Sequence, residues 1–215
     1  MLVDSVSLWF AQTNCYVVAP ESGGPCVVVD APPDPRGVAD LCAKYDLAPV
    51  ALLLTHGHID HMGGAGSAED LLGVASYIHP DDDFLTLHPH RQLLNLMGAI
   101  PPGDYRPPTL RRDLSDGDVL ELAGLELTVL HTPGHTPGHC CFHLPSEGLL
   151  FSGDQLFRGS IGRTDLPGGD YETLMESMRR KILGLPFETI VLPGHGESTT
   201  LGLERNHNPF LLSLL

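Results

Sequence analysis

The segment T-H-G-H-I-D-H at Thr55–His61 constrains this chain more than any other feature of its sequence. It places three imidazoles and one carboxylate within six positions, directly after the apolar run Val50–Leu54, which predicts a buried strand. His56 and His58 are two residues apart, so in extended backbone they project to the same side. The aspartate and the last histidine lie on the turn that follows and can point at a neighbouring position. One segment can therefore supply ligands to two metal ions.

Three further segments end a predicted strand with a histidine or an aspartate. The segment H-T-P-G-H-T-P-G-H at His131–His139 follows an apolar strand, and its two Pro-Gly steps predict a tight, rigid loop. F-S-G-D ends at Asp154, and L-P-G-H-G contains His195. Because binding residues concentrate where loops leave a rigid scaffold, four such strand ends predict a metal site along one rim of a sandwich.

The composition is that of a globular chain that can bury a sizeable core, since 42% of its 215 residues are hydrophobic and 18% are charged. We expect one domain that spans residues 1–215. The net charge of −15 repels nucleic-acid phosphates and anionic lipids. No apolar run has the length of a membrane span, and residues 1–20 lack the features of a secretory signal. We therefore expect a cytoplasmic protein without nucleic-acid or membrane partners.

The cysteines are odd in number and show no C-x-x-C spacing, which argues against both a disulfide framework and a thiolate zinc finger. We expect them to be small buried side chains: Cys15, Cys26, Cys42, Cys140 and Cys141.

Short apolar runs predict the strands of two sheets. They are Asn14–Ala19, Cys26–Asp30, Val50–Leu54 and Ala75–Ile78 in the first half, and Val119–Leu122, Leu125–His131, Cys140–Leu144, Leu149–Ser152 and Thr189–Leu192 in the second. Asp34 and Asp170 are predicted to cap amphipathic helices, and a last helix is expected from about Thr199. The stretch Pro80–Thr109 is predicted to be a surface loop because it ends in a Pro/Gly-rich run. This order predicts an α/β (α+β) fold, a four-layer αββα sandwich.

The motifs T-H-G-H-I-D-H, T-P-G-H-T, S-G-D and P-G-H-G, in this order, resemble those of the metallo-β-lactamase fold superfamily. N-C-Y-V-V near the start and G-R-T-D-L-P-G-G-D at Gly162–Asp170 resemble its glyoxalase II-like hydrolase branch. The resemblance spans nearly the whole chain and implies the same αββα fold. It also implies seven metal ligands in two groups that share a carboxylate: His56, His58 and His135 for one ion, Asp60, His61 and His195 for the second, and Asp154 for both.

Imidazole and carboxylate ligands suit two divalent metal ions, with Zn²⁺ favoured and Fe or Mn also compatible. Such ions lower the pKa of bound water to about 7, and we expect Asp60 and Asp154 to orient the resulting hydroxide. No further acid is evident to protonate an amine, whereas a thiolate leaves readily, so a thioester is the bond best matched to this site. The resemblance implies a glutathione thioester such as S-lactoylglutathione. Arg158, Arg163 and Arg205 are the candidate contacts for this small-molecule substrate.

Two other functions remain open. His56, His135 and Asp154 can form a two-histidine, one-carboxylate face for a single Fe(II), as in the persulfide dioxygenases of the same fold. The retained P-G-H-G motif with His195 favours two metals instead. A non-catalytic, metal-stabilised module is disfavoured, because seven ligands shared by two ions leave coordination positions open to water. β-Lactam hydrolysis is disfavoured because no export signal is seen.

Three polar residues outside the ligand set are candidates to support it. His131 and His139 flank His135 and can orient a ligand's second ring nitrogen, or they can be ordinary strand-end histidines. Asp30 ends the run C-V-V-V-D and can support the site from behind, although a simple strand-terminating role fits almost as well.

Overall fold

Six strands of the first half pair into one mixed sheet, in a computed structural model that describes residues 1–212 and 214. In chain order and in spatial order they are β1 (Leu2–Leu8), β2 (Thr13–Ala19), β3 (Pro25–Val29), β4 (Ala48–Leu53), β5 (Ser76–Ile78) and β6 (Arg111–Asp113). The first three strands are antiparallel, and β3 to β6 are parallel. Parallel neighbours need crossovers, which the helices of this half supply: α1 (Pro35–Ala43), α2 (Ile59–Met62), α3 (Ala65–Leu72), α4 (Asp83–Thr86) and α5 (Pro89–Met97).

The second half builds a second six-stranded sheet and a small hairpin. Its strands are β7 (Val119–Leu122), β8 (Leu125–His131), β9 (Cys140–Leu144), β10 (Leu149–Gly153), β11 (Leu156–Phe157), β12 (Ser160–Ile161), β13 (Ile190–Pro193) and β14 (Thr199–Thr200). The large sheet has the order β14-β13-β10-β9-β8-β7, and β11 pairs with β12. Three helices follow the hairpin and cover this sheet: α6 (Tyr171–Ser177), α7 (Leu201–His207) and α8 (Pro209–Leu212).

Side chains that alternate along each strand divide the apolar residues between two faces. On β2, Cys15 and Val17 pack towards α1 and α3, whereas Tyr16 and Val18 face the second sheet. On β10, Phe151 joins the core between the sheets, and its neighbour on the other face packs against α6. β2 and β10 are buried on both faces, so they carry continuous apolar runs. The layers are therefore helix, sheet, sheet and helix, which confirms the predicted αββα sandwich.

Most of the predicted elements are confirmed within about two residues. Asp34 and Asp170 each accept a hydrogen bond from the backbone N–H three positions on, as helix caps do. Ala123 and Gly124 both have positive φ in the turn between β7 and β8, as a two-residue hairpin loop requires. All five cysteines are buried and free of disulfides. No helix in the described part of the chain combines the length and apolar character needed to span a bilayer.

The prediction of a surface loop over Pro80–Thr109 was wrong for its first half. Residues 83–86 and 89–97 are helical, and Pro89 begins α5 at a position where its missing N–H costs nothing. Leu93 and Met97 lie one turn apart on this helix, and Gly98 ends it in the left-handed conformation at φ +66°. Residues 99–110 form neither helix nor strand. The edge strands β1 and β6 were also missed, because polar residues interrupt their apolar pattern.

Candidate metal centre

Three imidazoles from the two halves of the chain converge beside the carboxyl end of β4. His58 Nδ1 lies 2.8 Å from His135 Nε2 and 3.1 Å from His56 Nε2, and the other two nitrogens are 3.2 Å apart. All three side chains are buried. His56 and His58 follow β4, whereas His135 lies in the loop between β8 and β9. The fold thus forms a triangle of ring nitrogens from residues 79 positions apart.

The far nitrogens of two of these rings determine which way their lone pairs point. His135 Nδ1 lies 2.7 Å from the carbonyl oxygen of Arg163, which can only accept a hydrogen bond, so Nδ1 carries the proton. His56 Nδ1 lies 3.0 Å from the hydroxyl of Thr55. Burial lowers the pKa of His56 well below its ordinary value and that of His58 to about 3, which keeps both rings neutral. Neutral imidazoles with lone pairs that meet at one point are metal ligands.

A second group lies next to the first. His61 Nε2 is 3.3 Å from His195 Nε2 and 3.5 Å from Asp60 Oδ2, and the last two atoms are 3.2 Å apart. Asp60 and His61 are on the short helix α2, and His195 follows β13. Burial alone would lower the pKa of His61, but neighbouring carboxylates, with Asp154 the strongest, raise it well above its ordinary value.

Asp154 lies between the two groups. Its Oδ2 is 3.3 Å from His135 Nε2, and its Oδ1 is 3.3 Å from His61 Nε2. Oδ1 is buried and receives no hydrogen bond from the described residues. Burial would raise the pKa of this carboxyl, yet the surrounding histidines, led by His61, hold it far below its usual range. A buried carboxylate oxygen without a donor, surrounded by inward-facing nitrogens, fits a pair of divalent cations.

Buried polar residues hold the ligands from behind. Asp30 Oδ2 binds His61 Nδ1 at 2.8 Å, and its carboxylate also accepts the backbone N–H of Thr55. Asp30 was a candidate for this role, and the contacts it makes fit that role. His139 accepts the backbone N–H of Asp154 at 3.0 Å, so it orients the chain at that ligand. His131 points elsewhere: it donates to the carbonyl of Pro137 and stacks on His79.

Asp82 is a supporting residue that the sequence analysis missed. Its carboxylate is buried and accepts hydrogen bonds from Gly57 N at 2.7 Å, Thr136 Oγ1 at 2.7 Å and Gly138 N at 2.6 Å. It therefore ties the turn between His56 and His58 to the loop that carries His135. In the sequence it is one of three consecutive aspartates, and nothing in that run distinguishes it from its neighbours.

The N-C-Y segment of β2 holds the last ligand loop. Asn14 Nδ2 donates to the carbonyl oxygens of Pro193 and Gly196, on either side of His195, and Tyr16 donates to Pro193 at 2.7 Å. Gly194 in this loop passes so close to the centre that an added Cβ would lie 2.4 Å from Asp154 Oδ1. A glycine is therefore required there by close approach.

The ligands form part of the wall of a cavity of about 660 Å³. Of the described residues that line it, Arg163 alone carries a permanent positive charge, and its guanidinium is paired with Asp165 at 2.7 Å. Arg158 does not line the cavity and pairs with the exposed Glu197. Arg205 binds the carbonyl of Leu183 and lies over the ring of Phe187. The predicted substrate contacts of Arg158 and Arg205 are therefore not supported by their positions.

A second cation lies next to this cavity and was not predicted. Arg91 on α5 lines an adjoining cavity of about 380 Å³. The two cavities share His58, Gln92 and Leu96. Arg91 was missed because its helix was predicted to be a loop.

Comparison with known proteins gives consistent matches over the length of the chain. A model of the metallo-beta-lactamase superfamily matches residues 8–195. The hydroxyacylglutathione hydrolase GloC of Haemophilus influenzae is 36% identical over 223 residues, 99% of each protein. The structure of BLEG-1 B3 metallo-beta-lactamase is 37% identical with a TM-score of 0.89 and covers 98% of this chain and 99% of that one. TTHA1623 in a di-iron-bound form is 42% identical, with a TM-score of 0.85 and coverage of 97% and 100%. The chain therefore belongs to the metallo-beta-lactamase superfamily.

Proposed function

We propose that this protein is a binuclear metallohydrolase that cleaves thioesters, with a glutathione thioester such as S-lactoylglutathione as its substrate. One observation carries the proposal: two groups of inward-facing donors share Asp154 in the wall of one open cavity. A structural metal site closes its coordination with protein ligands, whereas this arrangement leaves room for water and for a substrate oxygen.

In this proposal His56, His58 and His135 hold one ion, Asp60, His61 and His195 hold the other, and Asp154 contacts both. Zn²⁺ is the favoured metal, and the di-iron form of a 42% identical protein makes iron a serious alternative. When bound, a pair of such ions lowers the pKa of water and stabilises negative charge on a substrate oxygen.

The protein's own residues position the reactants. Asp60 and Asp154 accept hydrogen bonds from the attacking water and aim its oxygen at the thioester carbon. A C–O bond forms and the C–S bond breaks. One proton of the attacking water ends on the departing thiolate, and the carboxylic acid product releases the other to solvent. A thiol has a pKa of about 8.5, so it leaves without an acid at its side. This agrees with the absence of lysine and cysteine among the described residues that line the cavity.

The choice of thiol is supported by a relative and by charge. The similar Haemophilus influenzae protein is a hydroxyacylglutathione hydrolase by name. Glutathione carries two carboxylates, and Arg163 and Arg91 offer one cation in each of the two adjoining cavities. Because guanidinium groups pair well with carboxylates, these two residues are the proposed contacts of the thiol arm.

The test combines metal analysis with three assays on protein purified and then loaded with zinc or iron. We expect two metals per chain and thiol release from S-lactoylglutathione, followed with a thiol reagent. One iron with oxygen uptake on glutathione persulfide and no thiol release would replace the hydrolase with a dioxygenase. Hydrolysis of a chromogenic β-lactam without thiol release would favour the activity named for the 37% identical BLEG-1 instead.

A further inference from the structure

The cavity beside the ligands has one apolar wall. Two segments build it: the turn after β1 contributes Trp9 and Phe10, and α5 contributes Leu93, Leu96 and Met97. The proposed metal ligands His58, Asp60 and Asp154 line the same cavity. A substrate whose carbonyl lies at the ligands therefore has one of its two arms against this wall.

Leu93 is buried, but three of the five side chains of the wall are exposed to solvent. Phe10 is 53% exposed, Leu96 is 49% exposed and Met97 is 53% exposed. Contiguous apolar surface of this kind marks a binding site when it lines a cavity.

The wall is held in place by specific contacts. The rings of Trp9 and Phe10 pack with their centroids 4.0 Å apart, and Trp9 meets Tyr105 edge-on at 5.9 Å. The indole N–H of Trp9 donates to the carbonyl of Pro102 at 3.1 Å. The polar atom of the indole is thus bound to the loop over residues 99–110, so the ring can offer its apolar surface to the cavity.

A lactoyl group does not match such a surface. It is short, and its hydroxyl needs a hydrogen-bond partner that Phe10, Leu96 and Met97 cannot provide. The arginines proposed to bind the glutathione carboxylates, Arg163 and Arg91, are not part of this wall. The arm left for the wall is the acyl group.

We propose that the acyl group of the substrate is an apolar chain or ring that lies on the wall formed by Trp9, Phe10, Leu96 and Met97. The inference rests on the proposed thioester hydrolysis and deepens it, since it names the acyl class. The preferred substrate is then a medium-chain or aromatic acyl thioester, and S-lactoylglutathione is hydrolysed more slowly than it.

Hydrolysis of an acyl-glutathione series tests the assignment with the thiol held constant. The metal-loaded enzyme is assayed for thiol release from acetyl-, lactoyl-, butyryl- and hexanoylglutathione. A fully buried methylene raises affinity about fourfold, and one on an open wall about twofold. Hexanoyl has four more methylenes than acetyl, so we expect kcat/KM to rise at least about tenfold from acetyl to hexanoyl. Equal values across the series, or lactoyl as the fastest substrate, would overturn the acyl assignment and leave thioester hydrolysis standing.

Two variants of the wall and one matched control locate the effect. Leu94 is 47% exposed on the same helix as Met97 but lines neither cavity. Phe10 and Met97 line the larger cavity only, so we expect Phe10→Ser and Met97→Ser to lower kcat/KM for hexanoylglutathione about fivefold and the lactoyl value less, with the metal content unchanged. Leu94→Ser is expected to change neither substrate. An equal loss for all acyl groups, or a loss in the control, would contradict the assignment.

Trp9 is the only tryptophan in the sequence, so its fluorescence can report binding at the wall without catalysis. Trp9 emission is followed while S-hexylglutathione or S-methylglutathione, neither of which has a cleavable thioester, is added. The hexyl group has five more methylenes than methyl, so we expect the hexyl compound to shift the emission and to bind about 20-fold more tightly. The same affinity for both would overturn the apolar acyl site. Tight hexyl binding by a protein that releases no thiol would instead overturn the proposed reaction and retain the site.

Discussion

At the scale of single residues, two of the predicted ligands are each held by a partner at the ring nitrogen that faces away from the centre. His61 is held by the Asp30 carboxylate, and His135 is held by the Arg163 carbonyl. These contacts fix the ring orientation and the tautomer before any ion arrives, which lowers the reorganisation that binding requires. The ligands themselves could be predicted from their motifs. Asp82 could not, because its importance comes from three hydrogen bonds to segments far from it in sequence.

Removing the shared carboxylate should abolish activity and leave the fold intact. Asp154 lies at the rim of the sandwich and outside its apolar clusters, so Asp154→Ala removes a ligand of both ions without opening the core. We expect thiol release to fall at least about 100-fold and metal content to drop below two per chain. Circular dichroism checks the fold, and Asp70→Ala, which removes an exposed carboxylate on α3, is the control. An unfolded Asp154→Ala chain would show that the centre holds the sandwich together.

Two arginines offer a matched pair for substrate binding. The side chains of Arg163 and Arg158 are 57% and 56% exposed, and each pairs with an acidic residue, but Arg163 alone of the two lines the cavity. We expect Arg163→Ala to raise KM for glutathione thioesters about fivefold, since an exposed ion pair is worth about 1 kcal/mol or less. Arg158→Ala should leave KM unchanged. Equal effects would argue that neither arginine contacts the thiol arm.

At the scale of elements, buried strands were predictable and partly exposed ones were not. β2, β3 and β10 carry continuous apolar runs because both of their faces are covered, and in β4 this holds for residues 51–53. β1 lies at an edge and carries exposed polar residues, so its pattern is weak. Helix α5 was not predicted, because its segment was taken together with the Pro-rich stretch before β6. Proline can begin a helix as well as interrupt one, as Pro89 does here.

Strand β4 allows a direct test of the packing that positions the first motif. Leu52 is fully buried against the helices, whereas Val50, two residues earlier on the same strand, is 42% exposed. Leu52→Ala should lower the free energy of unfolding by about 2–5 kcal/mol, through lost burial and a residual cavity. Val50→Ala should change it by about 0.5 kcal/mol or less. Urea denaturation of the metal-loaded protein measures both, and similar losses would contradict the assigned burial of Leu52.

At the scale of the whole molecule, the proposed ions connect the two halves of the chain. Four of the proposed ligands follow β4 in the first sheet: His56, His58, Asp60 and His61. The other three follow strands of the second sheet: His135 follows β8, Asp154 follows β10 and His195 follows β13. A backbone bridge between Thr13 and His195 joins the same two halves beside the centre. Metal binding and folding should therefore be coupled.

Metal removal should lower thermal stability. With free metal at about 100 times its dissociation constant, binding raises the free energy of unfolding by about 2.7 kcal/mol. In a chain of this size, that corresponds to a rise in Tm of about 5–10 °C. Differential scanning calorimetry before and after chelation, followed by reloading, measures the change. The Asp154→Ala variant should show a smaller shift. The same Tm with and without chelator would mean that the ligands do not link the halves.

The candidate ligands and the buried strands could be predicted from the sequence, because both are local: a motif follows an apolar run within a few residues. Which other residues contact the candidate site could be read only from the folded chain. Arg205, late in the chain, turns to Leu183, while Arg91 and the apolar wall meet the ligands from segments that carry no motif. The physical reason is that contacts between distant segments depend on how the layers pack, and sequence spacing holds no record of that packing.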